Sequence, residues 1–460
     1  MKIAILISRI LVGSVFIISG LIKVNDAIGF SYKLLEYFSF KALNFTSLEP
    51  YALEFSVFIA VGEVLLGIAA LLGAWPKFTS TMLFALCVFF GWLTYYTATC
   101  EPNSLKIFTD EITGQYYIDS PDCVTECGCF GDAIKFTPWQ SFTKDMVLLV
   151  LIIPFLIGAW LNRQKLNTGR EDLVVGVSSV VFTAVFCNVM LGWYFPVIFV
   201  AAAMVLGILV KNITSQRVWT MALASLLLSA GVQYWTLTHL PLRDFRPYAI
   251  GQNIRENMKT AEELGLEPPK KVNVYTLRNV STGETKEMDS DTYLQQNVWK
   301  DKTWEIVKGK TRSVTVKEGY EPKIMDFSIL DPDGNDIREE VLDAEKVFLL
   351  IVWNLKEDEK GIFDGTDVSH MDRIREFATQ AEANGIPFYA VTTSDYNTIE
   401  DFRHEHQLAF PFMQGDMKVL QTMMRANPGL VYMEKATVVN MWSHHDIPSY
   451  TDASGNGFKP

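Results

Sequence analysis

Long apolar runs fill the first half of the chain and stop near Leu240. We read seven spans, roughly 3–22, 54–75, 79–99, 145–162, 173–190, 195–211 and 218–238, each close to the 17 to 25 residues that cross a hydrocarbon core of about 30 Å. The stretch from Leu173 to Val210 is about twice one crossing and is expected to form a hairpin that turns near Gly192 to Pro196. The first run begins at Met1-Lys2 and shows no small-x-small cleavage site, so it reads as an uncleaved span rather than a secretory signal.

After Leu240 the pattern changes. HLPLRDFRPYAIGQNI reads as a polar connector, and about Lys270 to Lys317 as short alternating strands around the turn STGETK. From Pro322 strand and helix patterns alternate. KIMDFSILDPDGNDIREEVL is expected to be two strands around a DPDG turn, and EKVFLLIVWNL a central buried strand. HMDRIREFATQAEANG is an amphipathic helix ending at glycine, IPFYAVTTSD is a second buried strand, and LVYMEKATVVNMW is a final hairpin. The fold class is therefore a multi-span α-helical membrane bundle joined to a soluble α/β domain, with the lipid bilayer as the first partner.

Charge sharpens this division. The chain carries a net charge of −12, and about eleven of those charges lie after Leu240. Such an acidic half excludes nucleic acid, whose phosphates require clustered Lys and Arg. Lys2, Lys77, Arg163, Lys165, Arg170, Lys211 and Arg217 fall on one side of the bundle, which the positive-inside rule makes cytoplasmic. The loop from Cys100 to Thr143 and the soluble domain are then external. Lys23, Lys33 and Lys41 depart from the rule, in a loop that can lie along the interface as an amphipathic segment.

Candidate chemistry concentrates in that external loop. Of six cysteines, Cys87 and Cys187 lie in apolar spans as inert thiols, whereas Cys100, Cys123, Cys127 and Cys129 share the loop. Four thiols pair in three ways, and the sequence does not choose among them. A bond from Cys127 to Cys129 closes a very small ring across Gly128, and strained bridges exchange readily, so these two are the candidate reactive pair. Cys100 and Cys123 are then the partner or relay pair. Purely structural disulfides and a four-thiolate zinc site are the competing readings. Glu63 is the charge read inside a span, and Lys23, at the end of the first span, is its candidate partner. His444-His445 and His404 with His406 are read as solvated surface, with no metal site.

The string Cys127-Gly128-Cys129-Phe130-Gly131-Asp132, together with Ser19-Gly20-Leu21-Ile22-Lys23, resembles the DoxX and methylamine-utilisation MauE group of membrane proteins over about the first 165 residues. The resemblance implies a four-helix membrane unit (1–165) associated with periplasmic thiol-disulfide chemistry, with quinone as a candidate electron acceptor. Three further spans (166–240), a connector with a small β region (241–318) and a last domain (319–460) follow. The order of elements in that last domain resembles the thioredoxin-like fold. Pro428 matches that fold's cis-proline position, while the positions of its CxxC pair, around Glu357 to Lys360, read EDEK. No cysteine follows Cys187, so this domain has no thiolate for exchange.

The expected function is that of a bacterial inner-membrane component of thiol-disulfide exchange, an oxidoreductase component whose cysteine-free domain docks a periplasmic redox or envelope partner. The alternative is a non-catalytic scaffold subunit of a cell-envelope assembly, its disulfides only bracing the loop.

Overall fold

The computed structural model of the chain describes residues 1–101, 106–109, 116–119, 121–124, 126–213, 217–317, 319–355 and 367–459. The bundle comprises α1 (Lys2–Asn25), α2 (Ala27–Phe38), α3 (Ala52–Leu72), α4 (Pro76–Thr99), a hairpin β1 (Lys106–Thr109) and β2 (Tyr116–Asp119), then α5 (Pro138–Trp160), α6 (Gly169–Phe186), α7 (Phe195–Ile213) and α8 (Arg217–Thr238). Six helical stretches have the length and apolar composition of a membrane crossing, which places the chain in a lipid bilayer as a multi-pass protein. The seventh expected span, in α7, has a shorter apolar stretch, Phe195–Lys211. The outer faces carry Phe58, Phe89, Trp92, Val150, Val185 and Leu227, exposed as lipid-facing side chains are.

α1 and α3 form the centre of the bundle. On one side, Val12, Phe16 and Ala70 pack with Leu83, Ile152 and Phe155 of α4 and α5. On the other, Ile17, Leu21, Ala60 and Val64 pack with Val175, Val200, Met204 and Met221 of α6, α7 and α8. The helices after residue 165 therefore share one core with those before it.

The soluble part continues with α9 (Ile254–Met258), β3 (Lys270–Asn279), β4 (Thr285–Asp289), α10 (Ser290–Gln295), β5 (Trp304–Lys317), α11 (Arg338–Asp343), β6 (Val347–Ile351), α12 (Met371–Ala383), β7 (Phe388–Thr392), α13 (Tyr396–His406), β8 (Phe412–Gln414), α14 (Met417–Met423), β9 (Gly429–Glu434), β10 (Thr437–Ser443) and α15 (Tyr450–Gly455). β4-β3-β5 is the expected small antiparallel sheet. The main sheet runs β10-β9-β6-β7-β8, with β6, β7 and β8 parallel and β9 and β10 antiparallel. β6 is buried along its whole length because both faces of the sheet are covered. Phe348 and Leu350 meet α12, α13 and α15, and Val347, Leu349 and Ile351 meet α11 and α14. Ile28 and Tyr32 of α2 join that second face, so a helix of the membrane half completes the soluble core.

The expected strands around the DPDG turn do not form. The Asp331 side chain accepts from the backbone N–H groups of Asp333 and Asn335, which closes the turn locally. Leu330 makes single bridges to Asp336 and Gln414, and Arg338–Asp343 is helical. The Asn427-Pro428 peptide is cis. Residues 357–360, where the sequence reads EDEK, lie outside the described residues.

Candidate functional site: a thiol pair over a buried ion pair

α1 extends to Asn25, so Lys23 lies inside the helix instead of in the following loop. Gly20 permits the contact that follows. A Cβ there would sit 2.7 Å from Val64 Cγ2 and 2.9 Å from the Ala60 carbonyl oxygen, so only glycine lets α1 approach α3 this closely. Three residues on, Lys23 Nζ donates to Glu63 Oε1 at 3.0 Å and Oε2 at 2.9 Å, with both side chains at most 2 % exposed. An isolated charge at this depth would be costly, so each makes the other tolerable.

Lys23 also donates to Ser19 Oγ (2.7 Å) and to the Cys129 carbonyl (3.1 Å), and Ser19 Oγ donates to that same carbonyl (3.1 Å). The two motifs of the sequence, SGLIK and CGCFGD, thus meet at one point. Phe30 and Phe90 place ring faces 5.4 Å from the ammonium.

Cys100 and Cys123 form a disulfide across 23 positions, with Cα atoms 5.7 Å apart. Cys127 and Cys129 are thiols. Both are buried, 6 % and 4 % exposed, packed among Ile18, Ile22, Phe90 and Leu93. Gly128 makes the fold between them, at φ +70°, where a Cβ would press on Lys33 Cγ at 3.2 Å.

The two sulfurs are inequivalent. A hydrogen bond from the Cys129 thiol draws the Cys127 thiol down against the opposition of burial, with the Lys144 charge and the Cys129 backbone N–H (3.3 Å) adding to the effect. Cys129, as the donor in a buried setting, is pushed well up. A thiolate and a thiol side by side are the protonation states that exchange requires.

Several charges here were not anticipated, because Glu63 was read as the charge within a span. Lys144 and Asp145 of α5 pair at 2.6 Å beneath the thiols, Asp145 Oδ2 accepts from Thr94 Oγ1 at 3.0 Å, and Lys144 faces the Phe130 ring at 5.3 Å. At the opposite end of the bundle, Arg9 binds the carbonyls of Ala70 and Leu71 and the Asn167 side chain, and Lys211 pairs with Asp172. Arg9 stood in plain view in the first apolar run. Its hydrogen bonds go to helix-end carbonyls and the Asn167 side chain.

Asp132, the last residue of CGCFGD, points away from the thiols toward the soluble domain. Arg425 reaches Asp26 (Nε to Oδ1 2.8 Å, Nη2 to Oδ2 3.0 Å) and lies 3.7 Å from Asp132. The carboxyl of Asp26 is held below its ordinary value even though burial opposes this, chiefly by Arg425. Beside this clasp, Tyr32 meets Trp353 edge-on at 6.0 Å, and Asn25 exchanges hydrogen bonds with the Arg243 backbone. The loop of Pro428 and the end of β6 therefore face α2, and the cysteine loop and soluble domain occupy one end of the bundle.

A cavity of about 610 Å³ opens between the halves, lined by Gly128, Asp132, Lys33, Arg243, Asp326 and Arg425 among others. A second, within the bundle, holds only about 20 Å³ between Ser19, Lys23, Glu63, Cys129, Lys144 and Asp145. That is room for one water. A quinone ring does not fit it, and the larger cavity mixes charged side chains with apolar ones such as Phe30, Leu35, Phe245 and Tyr248.

Residues 1–100 match the family described as methylamine utilisation protein MauE. This match is less than half of the chain and takes in Lys23 and Glu63, but ends before Cys123, Cys127 and Cys129. The chain is thus a multi-pass membrane protein that is similar to MauE over its first 100 residues. No curated protein and no solved structure matches.

Proposed function

We propose that the chain is a membrane-bound component of thiol-disulfide exchange in which Cys127 is the attacking thiolate and Cys129 the resolving thiol. The observation that carries this reading is the convergence of Ser19, Lys23, Glu63 and Lys144 on an unbridged cysteine pair with one sulfur favoured as thiolate. Cys127 attacks a partner's disulfide and releases one partner thiolate. Cys129, losing its proton, then attacks Cys127 Sγ. The partner leaves as a dithiol, and Cys127 and Cys129 are left as a disulfide; a second dithiol protein reverses the exchange and restores them. Two electrons and two protons pass in each direction.

The cavity between the halves, reached at Gly128, is where a partner's cysteine loop would enter. In this reading the soluble domain belongs to the thioredoxin-like fold, as its strand order and the cis-Pro428 loop support, and has exchanged chemistry for docking on α2. The N-terminal unit is of the DoxX and MauE kind, and the cysteine end faces a bacterial periplasm, which tolerates the Cys100–Cys123 bond.

The test is a thiol-trapping map in intact cells with Cys129→Ser and Cys127→Ser. Cys129→Ser should accumulate a partner joined to Cys127 on non-reducing gels, and Cys127→Ser should abolish that adduct. If Cys127 and Cys129 prove permanently paired in cells and no adduct forms, the exchange reading fails. The Cys100–Cys123 bond by itself favours a scaffold whose loop is only braced; that reading expects full function without Cys127 and Cys129.

A further inference from the structure

The histidines that the sequence presents as solvated surface separate into two groups. His404 and His406 lie on α13, and His406 packs on the Phe402 ring at 4.4 Å. His444 is different. Its side chain is only 12 % exposed, its ring centroid lies 4.1 Å from that of His445 and 5.7 Å from that of His370, and its Nε2 is 3.2 Å from Asp367 Oδ2. One ligating atom each from Asp367, His444 and His445 fall within 4.8 Å of one another.

The supporting contacts fix how these groups point. His444 Nδ1 lies 3.1 Å from the Pro428 carbonyl, which can only accept, so Nδ1 carries the proton. Nε2 faces a carboxylate oxygen at 3.2 Å, a spacing at which an imidazole nitrogen and a carboxylate oxygen share one divalent cation. Asp367 is held in place as well: its Oδ1 accepts from Ser369 N at 2.8 Å and from Ser369 Oγ, its backbone N–H donates to the Asn427 carbonyl at 3.0 Å, and Oδ2 is left toward His444. Ser369 Oγ spends its one proton on that carboxylate, so His370 Nδ1, 2.6 Å away, donates to it. The outer hydrogen bonds thus orient imidazole and carboxylate as they do around metal ions.

We propose that Asp367, His444 and His445 bind a divalent cation of the zinc class, with His370 beside the remaining coordination position. Imidazole and carboxylate together suit zinc and its borderline neighbours. Bonds of about 2.0 to 2.1 Å to an ion at the centre match the 3.2 Å between His444 Nε2 and Asp367 Oδ2, and exposed His445 can swing inward. Such an ion would fasten the segment before α12 to the end of β10, beside the Pro428 loop.

The experiment is titration of the full-length protein in detergent with Zn²⁺, read by competition with a chromophoric chelator and by zinc-edge X-ray absorption. One ion per chain with nitrogen and oxygen ligands is expected. His445→Ala, at an exposed position that the fold does not need, should weaken binding by more than about 100-fold, and Ser369→Ala by the roughly 10- to 100-fold typical of an outer partner. His404→Ala with His406→Ala should leave it unchanged. Zn²⁺ should raise the melting temperature of the natural chain and not that of His445→Ala. Sulfur ligation, equal affinity in His445→Ala, or no binding with His444 found as an imidazolium would each overturn the site.

Discussion

Two buried ion pairs each take one partner from the end of α1, Lys23 and Asp26, and their surroundings make them different devices. Lys23–Glu63 is closed inside the bundle, next to a space for a single water. Arg425–Asp26 joins residues 399 positions apart at the edge of a large polar cavity. In the first, bulk water cannot take the place of either partner, so the pair fixes the register of α1 on α3 and holds the Cys129 carbonyl above it. In the second, water can reach a broken pair, so it serves as a clasp that can open. The same chemistry acts as a rivet in one place and as a latch in the other because the supply of water differs.

The largest expected effect tests the rivet. Glu63→Ala or Lys23→Ala should cost about 3 to 5 kcal/mol, the range for one charge left buried alone, measured by thermal unfolding in detergent. Replacing both with Met should restore much of that loss. Equal damage in single and double variants would show that the pair itself is not what holds the helices.

Next is the thiol above it. The rate of Cys127 alkylation should rise with pH around a half-point below the roughly 8.5 of a free cysteine. The direction follows from the lowered value: above it the thiolate predominates, and below it the reaction slows tenfold per pH unit. Cys129→Ala should move the half-point up furthest, since that thiol is the first cause of the shift, and Lys144→Met less. A half-point above 8 in the natural chain would remove the distinction between the two sulfurs.

The latch should be weaker. Arg425→Ala or Asp26→Ala is expected to cost about 1 to 3 kcal/mol, because water from the cavity solvates the partner left behind. Limited proteolysis should then cut the connector around Arg243 faster while the bundle's melting temperature changes little. Equal effects at both pairs would erase the comparison. Smallest is Gly128→Ala, at about 1 kcal/mol for the left-handed backbone; its reading is a change in Cys127 reactivity rather than in melting.

The elements with strong periodicity were legible in the sequence. Apolar runs of crossing length have no other stable fate in lipid, and β6, with apolar residues on both faces, required cover on both sides. Glu63 announced itself as a charge in hydrocarbon, and Lys23 was within reach as its partner. Lys144 and Asp145 were hidden because they stood at the assumed edge of a span, where charges are ordinary. The DPDG segment misled because its turn closes on itself, leaving only single bridges at Leu330 before the chain turns helical at Arg338.

Composition and order along the chain determined that this protein has a membrane half containing every cysteine and a thiol-free acidic half. Only the tertiary structure decided which cysteines are bonded, that Gly20 brings Lys23 to Glu63 beneath the thiols, that Asp26 meets Arg425, and that Asp367 gives His444 and His445 a carboxylate. The physical reason is one of range. Hydrophobicity and local turn chemistry are written in neighbouring residues, whereas the partner of a buried charge is set by which helices pack, and packing brings together positions that nothing in the local sequence connects.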